Sequence, residues 1–180
     1  MSFKGKKSMG TRKICQMALL AALTCIATMS VRIPVAATDG YIHLGDSVIL
    51  IVGVLFGWEY GLAAGGIGSA MADLLSGYPH WVIPTLIIKA VMGFVVGKIS
   101  NPNKSDNFFS ARNLIASFAG IAVMVIGYFI GGAVLKGSFS VSLVSVPENM
   151  IQGGAGLIIH YVMGYALYKA KAYRLADKNC

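Results

Sequence analysis

The residues of this chain able to hold or transform a small molecule are few, and they sit in unusual surroundings. Asp73, Lys89, Glu148, Asn149 and Gln152 lie within or at the edges of long apolar runs, with His43, Trp81, Tyr128, His160 and Tyr161 as ring-bearing companions. A polar or ionisable side chain in hydrocarbon-like sequence costs free energy, so it marks either a functional site or a compensating pair. Glu148 and Gln152 are four apart and Asn149 and Gln152 three apart, which on a helix puts a carboxylate and two amides on one face. Such a set can both donate to and accept from a small polar molecule, and Trp81 or Tyr128 could stack on a flat ring. Pro147 suits a helix start, where free N–H groups attract acceptors; plain N-terminal capping is the competing role. Asp73 and Lys89 can pair with each other, and a charged pair can still line a pocket. His160, two turns beyond Gln152, is expected to be either a hydrogen-bonding group on the pocket floor or a polar contact between helices.

The same residues argue against most chemistry. They show no nucleophile–base spacing, so an embedded enzyme using His160, Glu148 and Asp73 as acids and bases is the weaker alternative. Cys15, Cys25 and Cys180 have no CxxC spacing and are odd in number, which reads as reduced structural thiols. No His-Glu-x-x-His or other metal spacing occurs, and neither a metal nor a cofactor is expected. Gly93-Phe-Val-Val-Gly97-Lys98 is one residue short of a phosphate loop, lacks Ser or Thr after the lysine and lies in an apolar run, so it offers no route to ATP hydrolysis.

The elements that must position these groups follow from composition. Of 180 residues, 56% are hydrophobic and 12% charged, and mean hydropathy is +0.71, whereas soluble domains carry about 25% charged residues. Apolar runs predict an all-α membrane protein, a compact bundle of six transmembrane helices, with spans at Ile14 to Val31, Gly45 to Phe56, Tyr60 to Leu75, Trp81 to Ile99, Leu114 to Leu135 and Pro147 to Tyr168. The second is short for a membrane crossing, and its start at Asp46 is better buried in protein than in lipid. Trp58, Tyr60 and Tyr168 read as interfacial belt residues.

The net charge of +8 invites a nucleic-acid reading, but the placement of the charges opposes it. Lys4, Lys6, Lys7, Arg12 and Lys13 precede the first span; Lys98, Lys104 and Arg112 lie between the fourth and fifth; Lys169, Lys171, Arg174 and Lys178 follow the sixth. With six spans all three clusters fall on one side, and only Arg32 and Lys136 fall opposite. The positive-inside bias then puts both termini in the cytoplasm, and no nucleic-acid partner is expected. The expected organisation is a basic cytoplasmic segment at 1–13, one membrane domain at 14–168 and a basic cytoplasmic tail at 169–180.

Small residues add a packing signal. Gly61 with Gly65, Ala64 with Gly68, Gly93 with Gly97, and Gly127 with Gly131 repeat the small-xxx-small spacing that lets helices approach closely in lipid. Ala18 and Ala22 show it too, on a first span without obvious internal duty, so they are candidates for meeting a partner subunit.

Several segments together carry a resemblance: His43-Leu-Gly-Asp46, Gly65-Gly-Ile-Gly-Ser-Ala-Met-Ala-Asp-Leu-Leu-Ser-Gly77, Pro84-Thr-Leu-Ile-Ile-Lys89 and Val146-Pro-Glu-Asn-Met-Ile-Gln152. From Ala18 to about Tyr168 the chain resembles the substrate-binding S components of energy-coupling factor (ECF) vitamin transporters, of the riboflavin or hydroxymethylpyrimidine/pyridoxine branch. The resemblance implies a six-helix protein in the plasma membrane of a prokaryote that captures a vitamin or precursor outside the cell. It further implies association with a transmembrane coupling subunit and two ATPase subunits. It maps the family's Ala-x-x-x-Ala docking patch onto Ala18 and Ala22. The implied substrate site takes positions in Val35 to His43 with Trp81, Lys89, Tyr128, Glu148, Asn149, Gln152 and His160; Glu148 stands where relatives often carry a small or neutral residue. A self-sufficient ion-coupled carrier would show inverted repeats and two broken helices, which the sequence lacks.

Overall fold

The computed structural model describes residues 10–35, 40–100 and 107–176. Lys4, Lys6, Lys7, Lys104, Lys178, Cys180 and the 36–39 part of the implied substrate loop lie outside the described residues. Helix α1, Thr11–Ser30, leads into a short antiparallel hairpin of β1, Arg32–Val35, and β2, Gly40–His43, in which Arg32 pairs with His43 and Pro34 with Tyr41. The sequence places a plain break there. Period-two alternation in Tyr41-Ile42-His43 instead turns Tyr41 and His43 to one face of a strand.

Helix α2, Gly45–Phe56, is the short second span and the centre of the bundle. Its side chains from Ile49 to Leu55 pack with Met92, Val96, Ala116, Met124 and Phe108, and it touches α1, α5, α6 and α8. An apolar helix covered by protein on every side need not reach across hydrocarbon, and Asp46 at its start is wholly buried, as expected. Gly57, at φ 93°, ends it in a conformation that disfavours side chains.

The third span is a continuous rod in three pieces: α3, Trp58–Ala63; a π-helical turn, Ala64–Gly68; and α4, Ser69–Leu75. Beyond it a 3-10 turn, Pro79–Trp81, feeds α5, Val82–Ser100. The pairs Gly61/Gly65 and Gly93/Gly97 act between these two rods, whereas Gly68 meets α1 at Ala21 and Thr24, and Gly127 meets Ile88 of α5 from the helix that follows. A Cβ on Gly61 or Gly93 would overlap the other's carbonyl, and one on Gly65 would overlap the Lys89 carbonyl. Backbones in direct contact gain dispersion where lipid supplies no hydrophobic drive. The π turn thus seats α5 with Lys89 facing the interior.

Ser110 caps α6, Ala111–Lys136, by accepting from the Asn113 N–H at 3.3 Å, and Gly137 closes it in the left-handed region. After α7, Phe139–Ser142, comes α8, Ser145–Lys169, and a final 3-10 turn, Ala172–Ala176. Pro147 is therefore the third residue of α8 rather than its first, a first-turn position where a missing N–H costs nothing. The result is a helical membrane protein. Among the described residues four helices, α1, the 3-10/α5 unit Pro79–Ser100, α6 and the α7/α8 unit Phe139–Lys169, are long and apolar enough to cross a bilayer.

Candidate functional site

Beneath the hairpin lies a polar layer made by residues far apart in sequence. Lys89 on α5 and Asp46 on α2 form an ion pair, both side chains 0% exposed. The expected pairing of Lys89 with Asp73 is thus corrected: the register of α5 against α2 brings Asp46 under the ammonium. Gln152 on α8 completes the layer, its Nε2 donating to Asp46 Oδ2 at 2.7 Å and its Oε1 accepting from the His43 N–H at 3.0 Å. Three helices and the hairpin are joined through one amide. The His43 Nδ1 accepts from the Gly45 N–H at 3.1 Å, and burial pushes this imidazole, which lies outside the spans, down to about 4. His43 is therefore neutral at physiological pH. Lys89 also stands 5.1 Å from the centre of the Tyr128 ring, a cation–π distance.

Above this layer opens a cavity of about 450 Å³, measured out to its mouth. Tyr41 and His43 line it from β2, Asp73 from α4, Trp81 from the 3-10 turn, Thr85 from α5, Tyr128 from α6, and Ser145, Glu148, Asn149 and Gln152 from α8. The α8 set shares one face, as its spacing requires. Asn149 donates through Nδ2 to the Ser145 carbonyl at 2.8 Å, which leaves its carbonyl oxygen for the cavity. Trp81 and Tyr128 meet edge to face at 5.6 Å, and the Thr85 and Tyr128 hydroxyls lie 3.1 Å apart. Asp73 receives the Tyr41 hydroxyl on Oδ1 at 2.7 Å.

Six of the eight substrate-site residues expected from the sequence, His43, Trp81, Tyr128, Glu148, Asn149 and Gln152, surround this cavity. Lys89 sits one layer below, engaged by Asp46. His160 lies elsewhere: it is wholly buried, with its ring 5.3 Å from Phe108 and 4.9 Å from Tyr161, and forms part of an aromatic cluster with Phe109. It is not among the residues that line the cavity, whereas Glu148 and Asp73 are. Asp46, Thr85 and Ser145 lie outside the expected set, and Tyr41 falls within it only as part of the Val35 to His43 loop. The signals for them were faint: strand alternation for Tyr41, and helical spacing of Thr85 to Lys89 and of Ser145 to Asn149. Among the described residues no three His, Cys, Asp or Glu side chains gather into a metal-binding group.

A cavity of this kind binds; it has polar groups that orient and rings that stack. The family model described as ECF-type riboflavin transporter, S component, matches residues 8–169. A Pyrococcus woesei protein described as "uncharacterized protein in gap 3'region" is 40% identical over 144 residues, 80% of this chain and 93% of its own length. The thiamine precursor transporter HmpT of Lactococcus lactis subsp. cremoris is 26% identical over 153 residues, 84% of this chain and 85% of its own. The match covers α1 through α8, including every residue that lines the cavity, and the chain belongs to the family of ECF-type riboflavin transporter S components.

Proposed function

We propose that this vitamin-transporter S component captures a single-ring heteroaromatic of hydroxymethylpyrimidine or pyridoxine type outside the cell and hands it to an ATP-driven module. The cavity carries this reading. It has aromatic walls in Tyr41, Trp81 and Tyr128, between which a flat ring can stack, and its polar groups, Glu148 and Asn149 among them, suit amino and hydroxymethyl substituents. The similarity to a thiamine precursor transporter supports the same class. Riboflavin is the second reading, favoured by the description of the family model.

The charge asymmetry supports both termini in the cytoplasm of a prokaryotic cell and the hairpin end outside. Energy would come from one transmembrane coupling subunit and two ATPase subunits, with Ala18 and Ala22 at the docking face. Both alanines are exposed on α1. Mass spectrometry of the ligand that copurifies with the protein, followed by titration calorimetry with the identified compound, tests the reading. A pyrimidine or pyridine returned chemically unchanged is the expected result; copurified riboflavin would transfer the assignment to the second reading, and a converted product would restore the enzyme class.

A further inference from the structure

Asp73 is an expensive residue in its place. It is 5% exposed near the end of a membrane-embedded rod, and the ammonium that could neutralise it, Lys89, is taken by Asp46. Its Oδ1 accepts from Tyr41, while its buried Oδ2 has no hydrogen-bond partner among the described residues. A carboxylate with one oxygen unmet is costly in such surroundings and is retained where something else meets it. Asp73 is also a wall of the cavity. A purely structural role in pinning the hairpin would need Oδ1 alone, and a neutral amide would serve it.

We infer that Asp73 is the specificity-determining acceptor of the cavity: its Oδ2 takes an N–H of an amino-bearing, unphosphorylated nitrogen heterocycle. This rests on the reading of the cavity as the ligand site. The absence of phosphate from the ligand follows from charge. The lining holds two carboxylates, Asp73 and Glu148, and no Lys or Arg among the described residues. A phosphate ester would meet like charge at short range without a counter-charge, and rejection by such repulsion is an ordinary source of selectivity. Donor-rich neutral or cationic rings meet the opposite situation.

The test is titration calorimetry on the purified full-length chain with four probes: hydroxymethylpyrimidine, the analogue lacking the 4-amino group, the hydroxymethylpyrimidine monophosphate, and riboflavin. In the wild type, loss of the amino group should weaken binding about 10- to 100-fold, the range for a hydrogen bond to a charged group, and the monophosphate should bind weaker still. Asp73→Asn should bind the aminated and deaminated rings alike. Should thermal unfolding show that Asp73→Asn folds poorly, Asp73→Ser takes its place, and Glu148→Gln separates the two carboxylates of the lining: it should keep the preference for the aminated ring, and loss of that preference in Glu148→Gln overturns the assignment to Asp73. Equal wild-type affinity for aminated and deaminated rings, or for alcohol and phosphate, overturns the inference. If riboflavin binds and the pyrimidine does not, the single-ring reading fails, and Asp73 is judged on the ring imide N–H: a tenfold loss in Asp73→Asn supports its acceptor role, and unchanged affinity overturns it. Binding of none of the four probes overturns both.

Discussion

Lys89 and Asp46 are worth more as a pair than as separate charges. Each is withdrawn from solvent, and each lacks another ion pair among the described residues. Lys89→Met should therefore leave Asp46 as an uncompensated buried charge and destabilise the fold by about 3–5 kcal/mol, whereas the double change Asp46→Leu with Lys89→Met should recover much of that loss. Thermal unfolding in detergent of the two variants and the wild type measures both. The amides of α8 divide their work differently. Both hydrogen-bonding ends of Gln152 are committed to His43 and Asp46, so Gln152→Ala should chiefly quicken hydrogen exchange at the His43 N–H and lower stability. Asn149 commits only its Nδ2, to its own helix, so Asn149→Ala should weaken ligand binding by about 1–3 kcal/mol in calorimetry with little change in unfolding temperature. Sequence spacing put the two on one face correctly. It could not separate their roles, because the partner of Gln152 is 106 residues away and depends on how α2 seats against α8.

Among the elements, the rods α3/α4 and α5 show most directly how small residues set the site. Their backbones touch at Gly61 and Gly93, and that contact fixes the height of Lys89 and Thr85, one and two turns nearer the start of α5. Gly93→Ala should force the rods apart and cost about 1–3 kcal/mol, the usual range for overpacking. Gly154→Ala, on a face of α8 with nothing near it, should stabilise by up to about 1 kcal/mol, since alanine is the better helix former. Comparing the two by thermal unfolding, with ligand affinity as a second readout, separates loss of packing from the gain in helix propensity that both substitutions bring. The close approach was legible in the small-xxx-small spacing, and so were the six apolar spans, because lipid forces period, length and charge placement into the sequence. The hairpin was not legible: Arg32-Ile-Pro34-Val35 is only four residues long, with a proline that forbids one ladder bond, and such a strand carries little signal alone. Nor was the Lys89 partner, since choosing between Asp46 and Asp73 requires knowing which rod stands closer.

For the whole molecule, the polarity of charge and the exposure of α1 lead to linked expectations. In a background with Cys15, Cys25 and Cys180 replaced by Ser, single cysteines at Gly40 and Gly77 should react with a membrane-impermeant thiol reagent on intact cells, and one at Asn103 should not. Labelling at Asn103 from outside would invert the bundle and with it the side from which ligand enters. The outer face of α1 sets the second expectation. Ala21, Thr24 and Thr28 turn inward, while Ala18 and Ala22 lie exposed among Leu19 and Leu23, whose exposures are 62% and 47%. Alanines between exposed leucines leave a shallow groove in which another helix can bring its backbone close, and that is how helices associate where lipid gives them no hydrophobic reason to do so. Neither alanine lines the cavity. Ala18→Trp or Ala22→Arg should therefore abolish copurification with the transmembrane coupling subunit and stop uptake in cells, while calorimetric affinity of the isolated chain for its ligand stays within about twofold, or about 0.4 kcal/mol, of wild type. Lost ligand affinity with an intact complex would move the docking surface away from α1 and onto another exposed helix face of the bundle.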